Sequence, residues 1–225
     1  MLFDSFRRGR LKQIHPCALY SDIVTRRRDL LRSALILGAC PLLPNPLKGQ
    51  STSPDLAILN YALTLENLVA AFYVQGMAQF SSIDFGNSSF IRNFGNTISG
   101  DVYAYLSLIR DHEQQHASTL KSLISSNGGT PAKACTYNFN CKSADDFVTL
   151  AASLENTEVA AYNGILYQIQ DLSIRMQAAS IASAEGRHSA YLNLLTGGSP
   201  CPASFDTASS STTVATTLAQ YVTMC

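Results

Sequence analysis

The segment IRDHEQQHASTL (residues 109–120) places a carboxylate, Glu113, three residues before an imidazole, His116. The same spacing recurs 72 positions further along the chain, in IASAEGRHSAYL, where Glu185 precedes His188. Residues three apart in a helix lie on one face. Each pair also lies within an apolar stripe of helical period, so both segments are predicted to be helices that turn an acid and a histidine towards the core.

Two other segments are related by sequence in the same way. TLENLVAAFY (residues 64–73) aligns with SLENTEVAAY at an offset of 89, which pairs Glu66 with Glu155 and Tyr73 with Tyr162. An internal repeat of this kind indicates a duplicated structural unit, here a two-helix hairpin. Apolar periodicity and turn signals predict the four helices at about residues 55–79, 98–126, 143–170 and 172–195.

These four glutamates and two histidines occupy the middle of apolar stripes that hold no lysine or arginine. An ionised carboxylate in a dry interior loses much of its solvation energy unless something compensates it. Two divalent cations offset four carboxylates, and such metals accept carboxylate oxygen and imidazole nitrogen together. Helical bundles hold metal pairs with one glutamate from each of two helices and a Glu-x-x-His pair from each of the others. The sequence therefore predicts a dimetal centre with the ligands Glu66, Glu113, His116, Glu155, Glu185 and His188. The alternative is a set of partly exposed polar residues at a helix end.

The segments AILNYALTLENLVAAFY, HEQQH, CTYNF, FVTLAASLENTEVAAYNG and AEGRHSAYL resemble the ferritin-like domain family that includes desiccation-related proteins of plants and their bacterial and fungal relatives. The likeness spans about residues 55–195. It implies an all-α fold, an antiparallel four-helix ferritin-like bundle built from two helical hairpins. It also implies a metal site and frequent export, and says little about a reaction.

The chain departs from that family at one position and adds an acid at another. Relatives often carry a second glutamate three residues after the first, where this chain has Val69. Conversely, Glu158 follows Glu155 by three residues, either as an extra ligand or as a solvent-facing residue; we expect it to face solvent.

Three further residues near the predicted ligands receive separate predictions. Tyr73 and Tyr162 lie two helical turns beyond Glu66 and Glu155, where they line the metal cavity, relay an electron, or are core aromatics with hydrogen-bonded hydroxyls. We expect them to be core aromatics. His112 lies about 100° from the ligand face of its helix, so we expect it on the surface.

The N-terminal region is basic, with a net charge of +5 over residues 1–40 against −5 for the rest of the chain. TRRRDLLRSALILGAC resembles a twin-arginine export signal. We expect an export signal at 1–40, a linker at 41–54, the helical bundle at 55–196 and a C-terminal tail at 197–225. LGAC also resembles a lipoprotein cleavage box with Cys40 as the lipidated residue, the one membrane attachment expected; a disordered basic tail is the alternative. The acidic body gives no electrostatic case for binding nucleic acid.

Four cysteines follow the predicted leader, an even number that suits an oxidising, extracytoplasmic compartment. Of the three connectivities they allow, we expect Cys135–Cys141 and Cys201–Cys225, the second of which pins the tail. Four free thiols in a cytosolic protein are the alternative.

Two functions follow from these features. The first is an exported stress-defence protein in which two iron ions, or alternatively manganese, handle metal or react with dioxygen or peroxide in a ferroxidase-like or catalase-like manner. The second is a non-catalytic, desiccation-related structural protein whose metal site is structural or vestigial. A cytosolic storage cage does not suit a chain with a leader and disulfides, and no hydrolase triad or phosphate-binding glycine loop stands out.

Overall fold

The computed structural model describes residues 53–94 and 99–225. The predicted export signal at 1–40, the lipidation site at Cys40 and nearly all of the predicted linker at 41–54 lie outside these residues. The described part is mostly helical, with one small sheet of two strands.

Four of the six described α-helices are long and two are short. They are α1 Ser53–Gln79, α2 Ser82–Gly86, α3 Val102–Ser126, α4 Ala144–Ile165, α5 Leu172–Leu195 and α6 Ser211–Leu218. Single 3-10 turns lie at Ile91–Asn93, Leu166–Gln168 and Ala219–Tyr221. Strands β1 Thr136–Tyr137 and β2 Val222–Met224 pair antiparallel.

Side-chain caps set where α4 and α5 begin. The hydroxyl of Ser143, the N-cap of α4, accepts a hydrogen bond from the backbone N–H of Asp146. The carboxylate of Asp171 caps α5 in the same way through the N–H of Ile174. Buried Asp55 in the first turn of α1 accepts the backbone N–H groups of Gln170 and Asp171 at 2.9 Å each. This contact ties the start of α1 to the start of α5.

The four long helices pack chiefly as two pairs, α1 along α3 and α4 along α5, with smaller contacts between α1 and α4 and between α3 and α5. Their apolar faces form two separate clusters of buried residues. One contains Val69, Phe72, Leu106, Ala151 and Leu192, and the other contains Leu63, Leu120, Ile165, Ala178 and Ile181.

Within the described residues, the Pro54–Gln79 part of α1 is long and apolar enough to cross a membrane by length and composition alone. Its most apolar stretch is 61% buried inside the protein and contains the fully buried Glu66. The core helix of a globular protein has the same properties, so the length and composition of α1 are weak evidence for a membrane span.

The C-terminal tail returns to the helical body and is held at its end. Cys225 forms a disulfide with Cys135, while Cys141 and Cys201 are free thiols. The expected pairs Cys135–Cys141 and Cys201–Cys225 are therefore wrong. Pairing of β2 with β1 carries the end of the chain to Cys135, a contact across 90 positions that the spacing of cysteines does not reveal.

The tail also docks on α4 through its backbone. The N–H of Ser209 donates to the carbonyl of Ala160 at 2.8 Å. A Cβ at Gly164 would meet the carbonyl oxygen of Ser209 at 2.0 Å, so only glycine permits this close approach.

Candidate metal centre

The four long helices bring six polar side chains together between the two apolar clusters. Each of the four glutamates is 0% exposed. Helix α1 contributes Glu66, α3 contributes Glu113 and His116, α4 contributes Glu155, and α5 contributes Glu185 and His188. The i and i+3 spacing turns both members of each acid–histidine pair to the same interior region. The alternative of polar residues exposed at a helix end is therefore wrong.

Two sets of four side chains place potential ligand atoms within 4.8 Å of one another. One set is Glu66, Glu113, His116 and Glu185; the other is Glu113, Glu155, Glu185 and His188. Glu113 and Glu185 belong to both. The arrangement follows the sequence repeat, because Glu66 and His116 in one set correspond to Glu155 and His188 in the other.

Both histidines turn Nδ1 towards the carboxylates. In the first set, Nδ1 of His116 lies 2.7 Å from Glu185 Oε1 and 3.5 Å from Glu66 Oε2. In the second set, Nδ1 of His188 lies 2.9 Å from Glu185 Oε2, 3.1 Å from Glu113 Oε1 and 3.3 Å from Glu155 Oε2. One nitrogen atom thus meets oxygen atoms from two or three different helices.

Most of these oxygen atoms lack hydrogen bonds. Both oxygens of Glu113, Oε2 of Glu66, Oε2 of Glu155 and Oε1 of Glu185 are buried without a hydrogen-bond partner. Among the described residues, no lysine or arginine forms an ion pair with them. Buried carboxylate oxygens are costly when unpaired, and a set of oxygen and imidazole donors suits divalent metal ions. The residues present therefore fit a metal centre.

In the absence of metal, protons compensate part of this charge. Burial raises the pKa of Glu66 to about 8, with Glu113 and Glu185 adding to the rise and His116 opposing it. Burial likewise raises the pKa of Glu155 well above its usual range, and Glu113 adds to it. The Glu66 carboxyl therefore holds a proton at neutral pH.

The two histidines and Glu185 are instead held in their charged forms. Burial alone would lower the pKa of His116 and His188, but the surrounding carboxylates raise each to about 12. Burial alone would raise the pKa of Glu185, yet its contacts with the two histidines lower it to about 2. Protonated imidazoles occupy the place that cations take in a metal centre.

Two tyrosines hydrogen-bond Glu66 and Glu155, the two glutamates that belong to one ligand set each. Each tyrosine lies in the opposite half of the repeat from the glutamate it contacts. The hydroxyl of Tyr73 on α1 donates to Oε1 of Glu155 on α4 at 2.6 Å. The hydroxyl of Tyr162 on α4 donates to Oε1 of Glu66 on α1. Both rings are at most 1% exposed, which confirms the prediction of core aromatics with hydrogen-bonded hydroxyls. Each bond engages one carboxylate oxygen and leaves Oε2 without a hydrogen bond.

Glu158 is 0% exposed, so the expectation that it faces solvent is wrong. Both of its oxygens lack a hydrogen-bond partner, and burial raises its pKa well above the usual range, with Glu113 and Glu185 adding to the rise. It lies outside both sets of potential ligands. With it, every glutamate in the chain is fully buried.

His112 makes a contact that sequence reasoning missed. It is exposed, as predicted, yet its Nδ1 lies 3.0 Å from Nε2 of His188, and the two rings stack with centroids 5.3 Å apart. The helical angle of His112 gives its direction from α3 but not the position of α5, so the sequence carries no signal for this pair.

Comparison with known proteins gives a match to one protein family and a similarity to a solved structure. The model of a ferritin-like domain matches residues 54–198. Among solved structures, the chain is similar to the crystal structure of a conserved hypothetical protein from Mycobacterium tuberculosis, with 21% identity and a TM-score of 0.46, over 68% of this chain and 97% of that one. No curated protein matches the chain.

Proposed function

The chain belongs to the ferritin-like domain family, and we propose that its four long helices form an antiparallel four-helix bundle around two metal ions. Iron is the proposed metal and manganese the alternative, because both accept carboxylate oxygen with imidazole nitrogen. The observation that supports the proposal most directly is the pair of ligand sets that share Glu113 and Glu185.

The proposed ligand roles follow the two sets. Glu66 and His116 would hold one ion, Glu155 and His188 would hold the other, and Glu113 and Glu185, which belong to both sets, would serve both. Helical bundles that hold metal pairs supply this same inventory, one glutamate from each of two helices and a Glu-x-x-His pair from each of the other two. The unpartnered Oε2 atoms of Glu66 and Glu155 are the oxygens left for metal, since a tyrosine holds each Oε1.

The proposed activity is metal handling or oxidant removal. A bound iron pair supplies one-electron redox chemistry with dioxygen or peroxide, and a manganese pair supplies catalase-like chemistry. The chain's own residues orient and shield the centre. Tyr73 and Tyr162 fix the carboxylates of Glu155 and Glu66, and the packing of the four helices keeps bulk water away, since none of the four glutamates has an exposed surface.

The proposed setting is outside the cytoplasm, in stress defence. The Cys135–Cys225 disulfide supports a non-reducing compartment. The twin-arginine-like segment and the lipidation box at Cys40 remain predictions, because they precede the described residues.

Full burial of the centre favours a second candidate, a structural metal site in a non-catalytic protein. The side chains of His116 and His188 are only 12% and 6% exposed, and the four glutamates are closed off entirely. In this role, metal ions would only neutralise the buried acids and hold the helices together.

Anaerobic loading with Fe²⁺, followed by exposure to air in an oxygen electrode, distinguishes the two candidates. The redox proposal predicts oxygen consumption in proportion to bound iron, together with ferric absorption. Bound iron that stays ferrous while the protein gains thermal stability supports the structural role instead. Tyr167→Phe, a change at an exposed ring outside both ligand sets, is the matched control.

A further inference from the structure

The two proposed ligand histidines differ in the contacts that they make on the side away from the carboxylates. Nε2 of His188 faces Nδ1 of His112 at 3.0 Å, with the two rings 18° from parallel. The repeat places Ala184 at the position equivalent to His112, and alanine has no side-chain hydrogen-bonding group. In the part of the chain that the structure describes, no counterpart of this histidine pair forms at His116.

The contacts of the two ring nitrogens of His188 determine which of them carries the proton when metal is bound. Its Nδ1 is the atom that meets three carboxylates, at 2.9 to 3.3 Å, and is therefore the ligand atom of the proposed metal site. A neutral imidazole that binds metal through Nδ1 carries its hydrogen on Nε2. That N–H points at Nδ1 of His112, which accepts it, so His112 carries its own proton on Nε2.

We propose that His112 is a positioning residue that holds His188 in its metal-binding tautomer and orientation, which makes the two metal positions unequal. The inference rests on the proposed function, because it concerns the affinity of that centre. The position formed by Glu113, Glu155, Glu185 and His188 binds metal more tightly than the one that contains His116. Hydrogen-bond partners behind a metal-binding histidine are typically worth about 10- to 100-fold in affinity.

His112 can be changed without disturbing the core. It lies on the wall of a surface recess of about 220 Å³ that reaches His188 from outside. The recess is lined by Tyr105, Leu108, Ile109, His112, Arg187, His188 and Tyr191. Substitution at an exposed side chain on this wall leaves both apolar clusters intact, so the metal-free fold is expected to persist.

The test is an anaerobic titration of metal-free protein with Co²⁺ alone. Calorimetry and visible absorption monitor the binding. His112→Asn is the conservative variant, because its amide oxygen lies near the place of Nδ1 and accepts the same hydrogen bond. His112→Leu removes the acceptor. Gln115→Leu, an exposed polar-to-leucine change on the same helix, is the matched control. Thermal melts of the metal-free variants check the fold.

The expected result is two unequal binding steps in the unchanged protein, in Gln115→Leu and in His112→Asn. In His112→Leu the tighter step weakens by about 10- to 100-fold while the other step is unchanged. Wild-type binding by His112→Leu, equal weakening of both steps, or an asparagine variant as weak as the leucine variant would each overturn the inference.

The two proposals fail in different ways. If the unchanged protein takes up no metal, the proposed metal centre is wrong and the role of His112 falls with it. If the unchanged protein binds two ions and His112→Leu binds them equally well, only the role of His112 is wrong.

Discussion

Tyr73 on α1 donates a hydrogen bond to Glu155 on α4, and the repeat-equivalent Tyr162 on α4 donates one to Glu66 on α1. The two bonds cross between the halves of the duplicated unit. They connect the first helix of each hairpin to the acid of the other, so the symmetry of the sequence is also a symmetry of the buried polar contacts.

Tyr73→Phe is predicted to lower the free energy of unfolding of the metal-loaded protein by about 1–3 kcal/mol, because it leaves Oε1 of ionised Glu155 without its donor. Tyr162→Phe should behave alike through Glu66. Urea unfolding of the metal-loaded proteins measures both changes. Tyr167→Phe, at a ring that is 76% exposed, is the control and should be neutral. Equal stability of all three variants would show that the crossed bonds do not hold the centre.

The metal-free protein is predicted to lose stability as pH rises from about 5 to 9. The pKa of Glu66 rises from 4.5 to about 8 on folding, so the folded state binds more protons than the unfolded state in that interval. The pKa values of His116 and His188 rise from 6.5 to about 12, so their stabilisation is complete below pH 6.5 and is lost progressively as pH rises from 6.5 towards 12. Glu185, whose pKa falls to about 2, gives constant stabilisation above pH 4.5.

Melting temperature against pH, with and without bound metal, checks this linkage. Bound cations replace the protons of the histidines and of Glu66, so metal-loaded protein should show a flatter profile or one of opposite slope. Calorimetry in buffers of different ionisation enthalpy should also detect proton release on metal binding. A metal-free protein that becomes more stable towards pH 9 would contradict the account of the buried charges.

Glu155→Gln and Glu158→Gln form a matched pair on α4, three residues apart and both 0% exposed. Glu155 belongs to a ligand set and Glu158 does not. Glu155→Gln should therefore weaken binding of one metal ion by at least about 10-fold, while Glu158→Gln should keep both. Metal titration by calorimetry measures the difference. Loss of an ion from Glu158→Gln instead would make Glu158 a ligand.

Removal of the disulfide in Cys135→Ser/Cys225→Ser is predicted to lower the free energy of unfolding by about 2–5 kcal/mol, since the bond closes a loop of 90 positions. The C-terminal tail should then become sensitive to protease. Cys201→Ser, at an exposed free thiol, is the control and should leave the urea midpoint unchanged. If reduction and the double substitution both leave stability unchanged, the tail is held by packing alone.

The convergence of the six polar residues was predictable because it depends on local rules. An acid and a histidine three residues apart, set in an apolar stripe, must share the buried face of a helix, and the repeat supplies the second copy. The ferritin-like domain predicted from the resemblance is confirmed by the family match over residues 54–198. The metal ligand roles themselves stay a prediction.

The parts that were missed depend on contacts between distant elements. Glu158 is the exception, because its spacing of three residues from Glu155 already places both acids on the same buried face of α4. Cys225 reaches Cys135 through two strands of two and three residues, too short to leave a periodic pattern. His112 meets His188 through the relative placement of α3 and α5, which helical angles do not specify.

The most direct measurement is elemental analysis of the natively purified protein beside Glu113→Ala/Glu185→Ala, which removes both shared carboxylates. Asp111→Ala/Asp206→Ala, two exposed acids outside the ligand sets, is the matched control. The account predicts about two metal equivalents per chain in the unchanged protein and in the control, and close to none in the glutamate variant. Equal metal content in all three proteins, or no metal in any of them after loading, would contradict it.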